Sequence, residues 1–287
     1  MNHEIRPLPP GLYLVATPIG SARDITLRAL DILASCDLIA AEDTRTARKL
    51  MEIHGVPLGR RQVVAFHDHS GTGQVDRLVA EIAAGRSVAC VSEAGTPLIA
   101  DPGYELALAV QAAGLPVTAA PGASAVLTAL AVGGLPTDRF AFLGFLSAAE
   151  AQRRTQLAEV RDLPFTLVIY ESPKRVHDLL IAGCDVLGEG RSAVVCRELT
   201  KKFEEVSRGT LGSLAADFAD RSVKGEIVVL IGRAGAEVVA ATDVEQALRD
   251  AMVTMRMKDA ATAVAGALGL PRRQVYQMAL TLDKKDG

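Results

Sequence analysis

Three segments in the second half of the chain set carboxylates beside cations, a pattern suited to proton transfer. They are Tyr170-Glu-Ser-Pro-Lys-Arg175, Arg197-Glu-Leu-Thr-Lys-Lys-Phe-Glu-Glu205 and Lys224-Gly-Glu226. Charge runs on loops are ordinarily just solvated, but each of these adjoins an apolar strand end, where loops carry function. Glu198 and Lys201 stand three residues apart directly after one such strand, which a purely solvated loop explains poorly. Glu42, Asp43, Glu93 and Glu171 are further candidates, and the residues alone do not choose among them. For Glu42-Asp43-Thr44-Arg45 the competing reading is a helix start favoured by acidic residues.

The first half supplies loops of another kind. Ser92 to Gly103 reads SEAGTPLIADPG and follows the apolar run Arg86 to Val91, which is expected to be a strand. Gly95 allows dihedrals that a side chain forbids, while Pro97 and Pro102 fix φ and remove donors, so the loop should be bent and stiff. Pro18-Ile-Gly20 and Pro121-Gly-Ala-Ser124 repeat the type at two other strand ends. One such loop would be read as a tight turn without a ligand. Three of them mark the carboxyl edge of an open α/β sheet, where ligands bind. That edge is expected to collect Pro18, Gly20, Glu42, Asp43, His67, Glu93 and Gly95.

Positioning these groups requires alternating strands and helices. Leu12 to Thr17, Asp37 to Ala41, Val63 to Phe66, Val88 to Val91 and Val117 to Ala119 read as strands. Asp24 to Ala34, a segment capped by Thr44 and running to His54, Gln74 to Ala84, and Tyr104 to Ala113 with Pro102 in its first turn read as helices. Helical crossovers between strands imply a mostly parallel sheet covered on both faces. After a helix from Ala125 to Ala131 and the Gly133-Gly134 breaker, strands are expected at Arg139 to Leu146, Phe165 to Tyr170, Ser192 to Glu198, near Phe203 to Arg208, and at Glu226 to Ile231. Helices are expected between them at Ala149 to Val160, Arg175 to Leu187 and Leu211 to Phe218. The fold class is α/β, with a parallel-sheet domain over 11–122, a mixed-sheet domain over 123–233 and a cleft between them.

A third unit is expected over 242–284. Ala234 to Ala241 reads as a linker, a helix runs from Val244 to Met255, and Asp259 to Met278 has helix-turn-helix spacing with Gly269 at the turn. Its second helix would present Arg272 and Arg273 at its N-terminal end, where recognition helices meet nucleic acid. A plain helical hairpin packed on the body explains the pattern equally well.

Composition narrows the function classes. The chain has 287 residues, 49% hydrophobic, with a formal charge of −3, so any RNA contact must come from a local patch. Cys36, Cys90, Cys184 and Cys196 form no C-x-x-C pair, and neither a metal site nor a disulfide framework is expected. No apolar run approaches the ~18 residues of a membrane span, and MNHEIRPLPP lacks a signal-peptide core, so a cytoplasmic protein is expected. No G-x-G-x-x-G with an acidic residue ~20 positions on and no G-x-x-x-x-G-K-[ST] occurs, which disfavours a dinucleotide fold and an NTPase.

Seven segments carry a resemblance. VATPIGSARDIT, AAEDTRTARKLM, VSEAGTPLIADPG, PGASAVLTAL, YESPKRV, RELTKKFEE and KGEIVVLIG, in this order, resemble the bacterial ribosomal RNA small subunit methyltransferase I family of the tetrapyrrole methylase superfamily. The resemblance spans residues ~11 to ~233, and seven ordered motifs are far more specific than one Gly-Pro loop. It implies that a homodimer transfers a methyl group from S-adenosylmethionine to the 2′-hydroxyl of cytidine 1402 of 16S rRNA in the small ribosomal subunit. Glu93 and Ala100 depart from the aspartate and serine usual in the family.

The resemblance also implies roles for the residues at the site. Gly, Ala, Pro and Ser loops let a backbone approach such a cofactor closely, so Pro18, Gly20, Glu93, Ala94, Gly95, Thr96 and Pro97 are expected around it. Gly122, Ala123, Ser124, Tyr170 and Gly225 are expected to complete that site. Glu198, Lys201 and Glu171 are the expected catalytic groups, with Arg45, Lys174, Arg175, Arg272 and Arg273 meeting RNA. Two other classes compete with this reading: a tetrapyrrole C-methyltransferase, which the fold alone would allow, and a DNA-binding regulator built on the C-terminal helices. The first should need more cations for its carboxylate-rich substrate, and the second would not need the loops.

Overall fold

The computed structural model describes residues 3–67, 72–234, 241–267 and 272–286. Its first sheet contains β1 (Gly11–Val15), β2 (Leu38–Ala41), β3 (Gln62–Ala65), β4 (Ser87–Val91) and β5 (Val117–Ala120), all parallel in the order β3-β2-β4-β1-β5. Four helices cover it: α1 (Leu27–Ser35), α2 (Thr44–Ile53), α3 (Thr72–Ala83) and α4 (Tyr104–Ala112). Strand period two sends Ile39 and Ala41 to one face, under Leu30, Leu33 and Met51 of α1 and α2. Leu38 and Ala40 face the other way, beneath Leu78, Ile82, Leu106 and Val110 of α3 and α4. Burial on both faces explains the unbroken apolar runs of the inner strands β2 and β4.

Local chemistry moves three helix starts from their expected places. Helix α1 begins behind Thr26, whose hydroxyl accepts from the Ala29 amide, while Asp24 sits in a turn with its amide bonded to the Ser21 carbonyl. Asp43, not Thr44, caps α2: its carboxylate accepts from the Arg45 and Thr46 amides. Gly103 caps α4 at φ 120°, so Pro102 stands outside the helix.

The second sheet is mixed. It contains β6 (Phe140–Phe145), β7 (Thr166–Glu171), β8 (Ser192–Arg197), β9 (Glu205–Thr210) and β10 (Ile227–Ile231), in the order β6-β7-β10-β8-β9. β6 and β7 are parallel, and the other neighbours antiparallel. Between these strands in sequence, and after α5 (Ala125–Gly133), come α6 (Glu150–Glu159), α7 (Val176–Leu187) and α8 (Leu211–Phe218). Leu157, Leu179, Leu180 and Leu214 of α6, α7 and α8 cover Leu167, Ile169, Val195 and Val229 on one face. On the other, Val126 and Leu130 of α5 meet Val168, Val194, Val228 and Leu230, and Ile19 joins them from the β1 loop. α5 lies so close that a methyl group on Gly133 would stand 2.4 Å from Leu230 Cδ1. β6 is irregular: its register against β7 shifts between Phe142 and Phe145, with Gly144 at φ 64°.

Three helices form the C-terminal unit: α9 (Ala241–Thr254), α10 (Met257–Ala267) and α11 (Arg272–Asp286). They enclose a core of their own, built by Val244, Leu248, Ala261, Val264, Val275 and Ala279. Residues 235–240 of the expected linker, Gly269 at the expected turn and the side chains of Arg272 and Arg273 lie outside the described residues. Among the described residues no helix is long and apolar enough to cross a membrane.

Candidate active site

The loops at the carboxyl edge of the first sheet are tied to one another. Thr17 and Gly95 form a two-bond bridge, the Thr17 amide donating to the Gly95 carbonyl at 2.8 Å and the Gly95 amide to the Thr17 carbonyl at 3.0 Å. That geometry holds Gly95 at φ 87°, where a glycine is favoured. The Ser92 hydroxyl donates to the same Gly95 carbonyl at 3.2 Å. The Thr96 hydroxyl donates to the Ala123 carbonyl at 3.0 Å, and the Glu93 amide to Glu42 Oε2 at 3.0 Å. Gly122 closes on β1's end, where a methyl group would stand 2.9 Å from Ala16 Cβ.

A second wall comes from the charged loops of the other sheet. Lys201 Nζ lies 3.0 Å from Glu198 Oε1 and 3.0 Å from Glu226 Oε2. Glu198 Oε1 also accepts from the Glu226 amide at 2.9 Å. That amide, followed by Lys201, holds the Glu198 carboxyl below the usual carboxylate range against the opposing effect of burial. For Lys201, burial opposes the charge, but the hydrogen bonds to Glu198 and Glu226 outweigh it and hold the ammonium above its ordinary range. Both groups are therefore charged at neutral pH.

Glycines seat this pair from two sides. A methyl group at Gly225 would fall 2.4 Å from Glu198 Cδ, and one at Gly20 would fall 2.5 Å from Lys201 Cγ and from Thr200 Oγ1. The Ser21 amide donates to Thr200 Oγ1 at 3.2 Å, so the first domain grips the segment that carries Lys201. Glu198 at φ 50° and Thr200 at φ 64° are non-glycine residues in the left-handed region, a strain that clusters at functional loops.

The two walls enclose a cavity of about 590 Å³. Pro18, Gly20, Glu93, Ala94, Gly95 and Thr96 line it from the first sheet. Ser124, Tyr170, Glu171, Lys201 and Gly225 line it from the second. Pro97, Gly122, Ala123 and Glu198 are not in the lining; Gly122 packs on β1, Ala123 anchors Thr96, and Glu198 holds Lys201 from behind. Glu42 belongs to the lining, whereas Asp43 and His67 do not. Arg45 points to its own capping residue, Asp43. Arg175 donates to Glu171 Oε1 and to the Leu146 carbonyl, and Lys174 lies outside the lining.

Electrostatics of the cavity are one-sided. Among the described residues its lining carries five carboxylates, Glu42, Glu93, Asp101, Glu171 and Glu226, and one ammonium, Lys201. Burial, and after it the Asp101 carboxylate, pushes the Tyr170 phenol up to about 12, so it stays neutral. The Glu171 side chain is fully buried; Arg175 occupies Oε1, while Oε2 has no hydrogen-bond partner among the described residues. Sequence reasoning missed Ile99, Asp101, Phe145 and Val228 of the lining. Asp101 carried a legible signal, lying inside the SEAGTPLIADPG loop, whereas Phe145 looked like any strand residue.

A parallel sheet and a mixed sheet that close a cavity between their loops define a class, the tetrapyrrole methylases. The family described as Tetrapyrrole (Corrin/Porphyrin) Methylases matches residues 11–215, and the RsmI C-terminal HTH domain matches residues 238–283. Solved structures share this fold. The methyltransferase CobJ aligns with a TM-score of 0.61 at 20% identity, over 78% of this chain and 95% of that one. Uroporphyrin-III C-methyltransferase from Thermus thermophilus complexed with S-adenosyl homocysteine gives 0.54 at 21% identity, over 80% and 98%.

Sequence likeness is much higher elsewhere. Ribosomal RNA small subunit methyltransferase I of Mesorhizobium japonicum is 43% identical over 283 residues, covering 98% of this chain and 95% of that protein. The protein of that name from Escherichia coli O157:H7 is 40% identical over 272 residues, 94% of each. The chain belongs to the ribosomal RNA small subunit methyltransferase I family.

Proposed function

We propose that this chain transfers the methyl group of S-adenosylmethionine to the 2′-hydroxyl of cytidine 1402 in 16S rRNA of the small ribosomal subunit, working in the cytoplasm as a homodimer. The observation that carries this reading, beside family membership, is the charge of the cavity. Among the described residues, carboxylates outnumber the single ammonium in its lining, which suits a cationic sulfonium ligand. The size also fits, since cavities of roughly 300–1,000 Å³ hold small ligands and cofactors. Pro18, Gly20, Glu93, Ala94, Gly95 and Thr96 would hold the cofactor from one side, and Ser124, Tyr170 and Gly225 from the other. Pro97, Gly122 and Ala123 would shape those loops from behind.

Bound S-adenosylmethionine supplies an activated methyl group, so the chain must bring the ribose oxygen into line and manage its proton. As the oxygen–carbon bond forms and the sulfur–carbon bond breaks, the hydroxyl proton has to leave. Lys201, held as an ammonium, favours negative charge on the attacking oxygen. Glu198 and Glu226 orient Lys201; the Glu226 carboxylate, which lines the cavity and is largely exposed beside the ammonium, would receive the proton, and the fully buried Glu171, paired with Arg175, would support the wall behind it. Arg45 and Lys174 would meet RNA phosphates, while Arg175 would chiefly orient Glu171.

Small subunits purified from a strain lacking the gene test the reaction. Tritiated methyl from S-adenosylmethionine should enter their rRNA and survive alkaline hydrolysis in a dinucleotide, because a 2′-O-methyl group blocks cleavage of the adjoining linkage. Absence of label, or label in mononucleotides, would overturn the proposal.

We further read 11–122, 123–233 and 242–284 as separable units, since α5 packs on the second sheet and α9 to α11 have their own core. Deleting residues from Thr242 onward should leave cofactor affinity within about twofold, while the KM for small subunits rises at moderate salt. If Arg272 and Arg273 meet phosphates, replacing either by alanine should reduce the salt slope of RNA binding by about one. A truncated chain that loses cofactor affinity in calorimetry would show that the unit belongs to the site.

A further inference from the structure

We propose that Phe145 is a stacking platform for a nucleobase splayed out of the RNA, an inference that rests on the RNA substrate proposed above. Alternation along β6 sends Ala141 and Leu143 to the side of the sheet covered by α6 to α8, and Phe142 to the opposite side. Phe145 would follow Ala141 and Leu143 if the strand were regular. It does not, because β6 places two residues between Phe142 and Phe145 where β7 places one between Val168 and Tyr170. The extra residue, with Gly144 at φ 64°, turns Phe145 toward the side of Phe142 and Tyr170. Bulges beside binding sites re-aim side chains in this way.

The turned ring is poorly used by the fold. Its contact with Tyr170 is edge-type, at 5.6 Å between centroids and 64° between planes, and the residue remains 57% exposed. An exposed residue that also lines the cavity stands at its mouth. A bulge that exposes a large apolar ring costs stability and buries little, which points to a ligand with an aromatic face.

RNA enzymes read unpaired bases by stacking them on such rings. An adenine of the cofactor has the same chemistry, but the ring lies on the solvent side of the cavity, the side from which a ribose must enter. Stacking is tolerant of sequence, because every base has a π-face, so this contact does not depend on which base is presented.

Phe145→Leu keeps an apolar side chain and removes the ring, and Phe145→Trp restores a larger ring. With small subunits as substrate, the leucine variant should lower kcat/KM by about 5- to 150-fold, the range set by loss of one base stack. Its affinity for S-adenosylmethionine in calorimetry should stay within about twofold, and the tryptophan variant should recover most of kcat/KM. A leucine variant as active as wild type would overturn the platform while leaving the function standing. Equal losses in cofactor affinity and kcat/KM would also overturn it, by assigning the ring to the adenine. A wild-type chain that methylates no RNA would remove this inference together with the function beneath it.

Discussion

Lys201→Met is expected to lower the rate of methyl transfer by roughly 10²–10⁴-fold, the range for a group that acts on the proton or charge of the reacting atom. Cofactor affinity should change little, because the ammonium is held by Glu198 and Glu226 and is proposed to act on the hydroxyl. Methionine keeps most of the length that packs beside Gly20, so the loop should survive the change. Glu198→Gln should give a smaller loss with the same signature, since it loosens Lys201 without removing it. A Lys201→Met enzyme whose rate and cofactor affinity fall by the same factor would make Lys201 a binding residue.

The same pair fixes the expected pH dependence. Glu198 lies below its ordinary 4.5, so its contribution is present above that value and is lost as pH falls through the lowered one. Lys201 lies above its ordinary 10.5, so its contribution is present below that value and is lost as pH rises through the raised one. The pair is therefore intact between about pH 5 and pH 10, and neither member should produce an inflection in the rate across that window. An inflection near neutrality that disappears in Lys201→Met would show that a neutral amine is the base.

Gly95→Val should reduce S-adenosylmethionine affinity by roughly two orders of magnitude or more. Both backbone groups of Gly95 are engaged by Thr17, so this glycine does not offer them to a ligand. Its importance lies in φ 87° and in the missing side chain. A Cβ would meet Ile19 Cγ2 at 3.4 Å, and the further methyls of valine would crowd Ile19 and the cavity. The left-handed backbone adds a strain of about 1–3 kcal/mol to folding, which Gly95→Ala would share. Calorimetry on both variants separates the effects: alanine should lose stability with a modest loss of affinity, and valine should lose both. Near-normal affinity in the valine variant would remove Gly95 from the site.

Local pattern made most of this architecture legible. Buried strands such as Leu38–Ala41 announce themselves as apolar runs, and helix faces such as Leu30 with Leu33 repeat at helical spacing, so the two sheets follow from periodicity. Glu198 and Lys201 could be paired because three residues separate them. Contacts between distant segments left no such trace. Gly20 meets Lys201 across 181 positions of chain, and nothing in either segment names the other. Pro97, Gly122 and Ala123 read like ligand loops because the same residue types serve close packing and close approach alike. Phe145 was hidden for another reason: a one-residue bulge inverts the facing that alternation predicts, and Gly144 alone does not reveal it.

The bond from the Ser21 amide to the Thr200 hydroxyl gives the molecule a built-in clock for separation of its two halves. While the first-domain loop grips Thr200, the Ser21 proton is withheld from solvent, and parting of that contact releases it. Deuterium uptake at this single amide therefore reports how readily the contact beside Gly20 and Lys201 opens.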